Sequence, residues 1–218
     1  MKIRGPSSQG ATRGTPEPVV FHFDPICPWA WITSRWAVRL EVLGQLRVEW
    51  RLFSLGVANA SDADLPADTP VGHSGAALAA LALARRLGGN PALLRLYTAM
   101  GDAAHQRHQD LADPAVLDRA WAEAGQDPQD LAGAAGDPSL WASVLADHQL
   151  ATRSCQAFGV PTLILDGGSG PGIFGPIITE IPSDEECVAL LRDVVRMMRR
   201  PFLMELKRDR PRRQSTLE

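Results

Sequence analysis

The sequence is poor in the features that would place a protein in a membrane, in an oxidising compartment or on nucleic acid. Its 218 residues contain no run of 18 apolar side chains, so no membrane-spanning helix is expected, and no basic, apolar and cleavage regions of a secretory signal follow one another at the start. Only three cysteines occur, an odd number. That speaks against a secreted disulfide framework and suits a reducing, cytoplasmic setting. A net charge of −3 with a pI near 6.0 gives no electrostatic case for a nucleic-acid partner. No strand-linked Gly-x-Gly-x-x-Gly is present, so neither a flavin nor a nicotinamide is expected. The glycine run Gly167 to Gly172 lacks the Gly-Lys-Ser/Thr ending of a phosphate loop and reads as a hairpin turn. His105-x-x-His108 with Asp102 or Asp110 has two histidines but no assured further ligand, and no metal is expected.

What the chain does have is one cysteine at a junction. Val19 to Phe23 is a short apolar, β-branched and aromatic run of strand type, and a helix-permitting stretch begins at Pro28. Proline suits the first helical position, where its missing N–H costs nothing, so Cys27 falls at the N-cap with its sulfur toward the free N–H groups of Trp29 and Ala30. A helix start carries partial positive charge and lowers a cysteine pKa from ~8.5 into the range ~3.5–7.5. Cys27 is therefore the candidate nucleophile; the competing role is a small buried residue packing strand against helix. Ala30 stands where a Cys-x-x-Cys motif would have its second sulfur. No disulfide can close within this motif, and monothiol chemistry remains.

Leu46 to Phe53 alternates apolar with polar as a second strand, making a βαβ unit with a parallel pair. Residues 1–17 read as a disordered leader and Ser54 to Pro70 as a loop whose acidic cluster, Asp62, Asp64 and Asp68, is solvated surface. Residues 71–158 read as an inserted block of four or five helices, broken at Gly88-Gly89-Asn90-Pro91, with N-caps before prolines at Asp113, Asp127 and Asp137. A strand from Pro161, a hairpin through Ile173-Phe174, and a last helix to about Arg199, opened by a Ser183/Glu186 capping box, complete the sheet half, 18–70 with 159–205. The basic tail 206–218 reads as a surface arm.

This order resembles the DsbA-like branch of the thioredoxin fold, an α/β fold with an all-helical insertion. Within it the chain is most similar to the mycothiol-dependent reductase group, known for nitroreductase activity. The resemblance is carried by Phe23-Asp24-Pro25-Ile26-Cys27-Pro28-Trp29, Trp31 to Trp36, Leu96 to Gly101 with His105, Gly159-Val160-Pro161-Thr162, Phe174-Gly175-Pro176, and Phe202 with Glu205 to Arg208. It implies a cis peptide before Pro161, a loop at Val160 facing Cys27, and Pro28, Trp29, Ala30, Trp36, Asn59, His105, Val160 and Pro161 as thiol- or substrate-binding positions. Trp29 and Trp36, seven apart, share a helical face as an aromatic wall, or Trp36 packs the core. His105 would offer a hydrogen bond or a proton near the thiol.

The implied activity is a thiol-dependent oxidoreductase. Its cofactor would be a low-molecular-weight thiol, mycothiol or glutathione, and its substrate a small-molecule or protein disulfide; a homodimer is left open. With Ala30 in place of the resolving cysteine, the adduct at Cys27 would be released by the external thiol or by Cys155, unless Cys155 is only a buried helix residue. Cys187 reads as buried. A glutathione transferase of the kappa type, a 2-hydroxychromene-2-carboxylate isomerase-like enzyme, and a non-catalytic relative are the alternatives.

Overall fold

The computed structural model describes residues 15–60, 69–134 and 136–209. The leader up to residue 14, the acidic cluster Asp62, Asp64 and Asp68, and the tail from residue 210 lie outside the described residues. Strand β1 (Glu17–Phe23) is followed by α1 (Pro28–Val42) and β2 (Leu46–Leu52). The two strands pair in parallel from Glu17 opposite Leu46 to Phe23 opposite Leu52, as a helix between them requires. Glu17 thus belongs to the sheet and not to the leader.

The helical block contains α3 (Gly75–Gly101), a π-helical turn (Asp102–Gln106), α4 (Pro114–Glu123), α5 (Pro128–Gly133) and α6 (Pro138–Cys155). Asp113, Asp127 and Asp137 cap α4, α5 and α6, each accepting from the backbone N–H two residues on, with proline in the first turn. The sheet resumes with β3 (Thr162–Ile164) and β4 (Gly172–Phe174), an antiparallel hairpin. Its order is β2-β1-β3-β4, with β3 antiparallel to β1. Helix α7 (Asp184–Met198) closes the domain behind the Ser183/Glu186 capping box. This is the thioredoxin-like α/β fold with a helical insertion that the sequence implies.

Two departures matter. Leu55–Ala58 forms one helical turn, α2, capped by the Ser54 hydroxyl, inside a stretch expected to be loop; four residues are too few to show a period. Helix α3 is interrupted at Gly88 and Gly89, the latter at φ 66°, a left-handed conformation that glycine adopts without strain. The break delivers Asn90 to the outer edge of β2. There its side chain accepts from Trp50 N (2.9 Å) and donates to Val48 O (2.8 Å). Glu41 accepts from Val48 N and Asp147 from Leu52 N on the same edge.

The core centres on Phe21, Phe23, Trp50 and Tyr97, all essentially inaccessible, with Phe23 stacked on Tyr97 at 3.8 Å between ring centroids. Asp147, also buried, pairs with Arg51 and Arg85, so its charge is compensated on two sides. Among the described residues no helix is long and apolar enough to cross a membrane.

Candidate active site around Cys27

β1 ends at Phe23, and Asp24 to Cys27 carry the chain off the sheet into α1. Cys27 N donates to Asp24 O at 3.0 Å and Trp31 N to Cys27 O at 3.0 Å, so the turn and the first helical bond share one residue. Cys27 is the N-cap, in extended backbone conformation, with Pro28 at the first helical position. Its Sγ accepts from Ala30 N at 3.5 Å and donates to Val160 O at 3.4 Å. The amide is a donor in either protonation state of the sulfur, whereas the carbonyl accepts only from the protonated thiol. The side chain is 6% exposed.

The Val160–Pro161 peptide is cis, as the resemblance implies, and Gly175–Pro176 is cis as well, which the sequence reading did not foresee. Pro161 O accepts from Gly175 N at 2.8 Å, and Thr33 of α1 donates to Pro176 O at 2.9 Å. The two proline peptides are thus held together, and Pro176 in turn to the active helix.

His105 sits on the π-helical turn at the end of α3. Its Nε2 lies 2.9 Å from Pro25 O, a contact that needs the Nε2–H tautomer to donate, and its ring stacks on Trp31 at 5.7 Å. Wide turns of this kind recur at functional sites. The guanidinium of Arg35 lies over Trp31, 4.1 Å from the ring centroid, and donates to Thr98 Oγ1 and Ser34 Oγ. Trp31, Ile32, Arg35, His105, Gln106 and Glu180 line a cleft of about 240 Å³ along α1. Cys27, Trp31 and Arg35 are four apart, one face of that helix.

Under the loop lies Asp24, wholly buried. It accepts from Ile26 N (3.2 Å), Leu55 N (2.8 Å) and Ser74 Oγ (2.8 Å). Burial pushes its carboxyl up to about 6, against the pull of those donors. Tyr97 is buried nearby and its phenol is pushed upward, first by burial.

Residues 26–208 match the sequence profile of the Rv2466c-like family, described as mycothiol-dependent nitroreductase Rv2466c. The chain belongs to this family. It is 34% identical over 192 residues to the uncharacterized protein Rv2286c of Mycobacterium tuberculosis, covering 87% of this chain and 81% of that protein. Among solved structures it is similar to a probable DsbA oxidoreductase, SCO1869, from Streptomyces coelicolor, with a TM-score of 0.59 and 19% identity, covering 82% of this chain and 90% of that one. It is also similar to the cytosolic disulfide reductase DsbM from Pseudomonas aeruginosa, solved with GSH, with a TM-score of 0.55 and 18% identity over 82% and 99% of the two chains. These neighbours show the DsbA-like thioredoxin fold.

In this Rv2466c-like chain the structure brings together Cys27, Pro28, Ala30, Val160 and Pro161, and sets His105 against the preceding loop. Trp29 is half-buried beside them. Asn59 is exposed at the C-cap of α2. Trp36 is a correction. It is fully buried and its indole N–H donates to Cys187 O at 3.2 Å, so it packs α1 against α7 and forms no wall with Trp29. Seven residues is near two turns, but Trp36 is taken by α7, and it is Trp31 that lines the cleft.

Cys155 donates to Ala151 O in its own helix and packs on Gly172. That is opposite Ile164, the end of the β3–β4 ladder away from Val160. Burial pushes its thiol upward. Cys187 is buried. Among the described residues no group of three or more histidine, cysteine or carboxylate side chains could hold a metal ion. The sequence reading missed Asp24, Trp31 and Arg35; the four-residue spacing from Cys27 was the available signal for the last two.

Proposed function

We propose that this protein catalyses thiol–disulfide exchange through the single sulfur of Cys27, with mycothiol as the resolving thiol. The observation that carries this is the placement of Cys27 Sγ at the head of α1, between Ala30 N and the carbonyl of the cis-proline loop. In the first step the Cys27 thiolate attacks one sulfur of a substrate disulfide. A Cys27–S–S–R bond forms and the other substrate half leaves as a thiolate. In the second, mycothiol thiolate attacks the R sulfur; the mixed disulfide of R with mycothiol forms and the Cys27 thiolate is regenerated. One proton enters with mycothiol and leaves on the released substrate thiol. No second protein sulfur is needed, which matches Ala30.

The family supports mycothiol as the small thiol, and a reducing cytoplasm is the compartment that would keep it reduced. Ala30 also favours a second reading, in which the site activates the thiol of a bound cofactor for transfer or isomerisation without exchange. Intact mass after exposure to oxidised mycothiol decides between them. One adduct on Cys27, released by free mycothiol and absent from Cys27→Ser, is the expected result. An unmodified chain would overturn the exchange mechanism.

A further inference from the structure

We propose that Asp24 is a positioning residue for Cys27: its buried carboxylate ties the loop that delivers the sulfur to the starts of α2 and α3. The proposal rests on Cys27 being the nucleophile. Asp24 joins three stretches far apart in sequence. Its Oδ1 accepts from Ile26 N, one residue before the thiol, and its Oδ2 from Leu55 N and Ser74 Oγ. Its own carbonyl accepts from Cys27 N. Ser54 and Ser74 are the N-caps of α2 and α3, so the carboxylate gathers two helix starts and the approach to a third, α1, at one point. The position of Cys27 Sγ between Ala30 N and Val160 O is then set from beneath by Asp24 and from outside by the His105 contact to Pro25 O.

The chemistry of the three partners defines the residue. Two are backbone N–H groups that can only donate, so an acceptor-only carboxylate suits them. An asparagine would set its NH₂ against one of these donors. Ser74 alone can serve either state, since its hydroxyl donates to the carboxylate or accepts from the carboxylic acid. Among the described residues the titratable groups facing Asp24 are few. From α3 comes Tyr97, whose phenol feels both Asp24 and Cys27. From the segment before α3 comes His73, whose Nε2 lies 2.7 Å from Asp110 Oδ1. Within the loop itself there is Cys27. Burial moves the titration of the carboxyl to about 6, so the acceptor that Ile26 N and Leu55 N require is protonated, and the tie loosened, as pH falls through that range.

The test is the rate of iodoacetamide alkylation of Cys27 against pH in the full-length chain, for wild type, Asp24→Asn and Ser74→Ala. A biphasic profile is expected in wild type. In Asp24→Asn a single phase is expected with a rate at about pH 8 lower by roughly 10- to 100-fold, the scale of an ångström-level displacement. In Ser74→Ala, which removes one donor and leaves the loop otherwise intact, the acid phase moves to higher pH. Wild-type rates and profiles in both variants would overturn the proposal. So would a slower rate with an unchanged profile, which assigns Asp24 to stability alone. If Asp24→Asn fails to fold, the shift in Ser74→Ala decides. Alkylation needs no mycothiol, so the test is separable from the exchange mechanism: the expected profiles with no mycothiol adduct retain the positioning role and remove mycothiol.

Discussion

Gly101 leaves the indole of Trp31 no room for one more carbon: a Cβ at Gly101 would lie 2.0 Å from Cζ3 and 2.2 Å from Cε3 of the ring. The end of α3 is therefore laid flat against the ring that also stacks on His105 and carries Arg35. Gly101→Ala is expected to push Trp31 off that seat. Overpacking of this kind costs ~1–3 kcal/mol or more. Thermal melting should show the loss, and Cys27 alkylation should slow with it, because His105 holds Pro25 from the neighbouring turn.

Trp36→Phe separates core packing from ligand contact. The indole N–H donates to Cys187 O in a fully buried position, so the variant loses that bond and part of the ring's packing, at a cost of ~1–3 kcal/mol. Denaturant midpoints should fall while the alkylation rate of Cys27 in the folded protein stays at the wild-type value. A slowed thiol with normal stability would return Trp36 to the site.

Asp147→Asn tests the tie between β2, α3 and α6. Its carboxylate serves Arg51, Arg85 and Leu52 N from a buried position. Removing one partner of such a set costs ~3–5 kcal/mol, because the cations left behind are partly desolvated. Urea unfolding gives the number directly.

Two buried groups make stability depend on pH in opposite senses. His22 is inaccessible, and burial pushes its imidazole down to about 4 from 6.5. Its contribution is present above 6.5 and lost as pH falls toward about 4, worth about 3 kcal/mol at 1.36 per unit. Asp24 is raised from 3.8 to about 6, so its contribution is full below 3.8 and lost as pH rises through about 6, a similar amount. The two cancel in part in wild type. His22→Leu is expected to lose stability as pH rises from about 4 to 6, and Asp24→Asn to lose it as pH falls over the same window. Urea midpoints across that range check both signs.

Ala30→Cys restores a second sulfur where Ala30 N already approaches Cys27 Sγ. An intramolecular disulfide is expected on oxidation, seen as the loss of two hydrogen atoms by intact mass. The mycothiol adduct at Cys27 should then be short-lived, because the new thiol resolves it.

Much of this was legible in the sequence wherever the cause is local. Asp113, Asp127 and Asp137 before prolines, Ser183 with Glu186, and Cys27 before Pro28 are each capped as their spacing implies. The parallel βαβ pair and the hairpin follow from period and turn chemistry. What escaped depends on contacts across the chain. Asp24 reaches Leu55 and Ser74, 31 and 50 residues away, and no period records such a tie. The π-helical turn that aims His105 at Pro25 leaves no mark in the polarity pattern. Trp36 could face a ligand or α7, and only the packing of Cys187 against it decides.

The side chains of Glu41, Asn90 and Asp147 along β2 have a consequence for life at high protein concentration. An open strand edge is a template on which other chains can add. Here the outward N–H groups of Val48, Trp50 and Leu52 are already taken. The opposite edge, β4, is three residues long and flanked by Pro171 and Pro176, which offer no donors. Neither margin of the sheet invites a stranger, so the folded protein is expected to resist edge-on polymerisation and fibril seeding in a crowded cell.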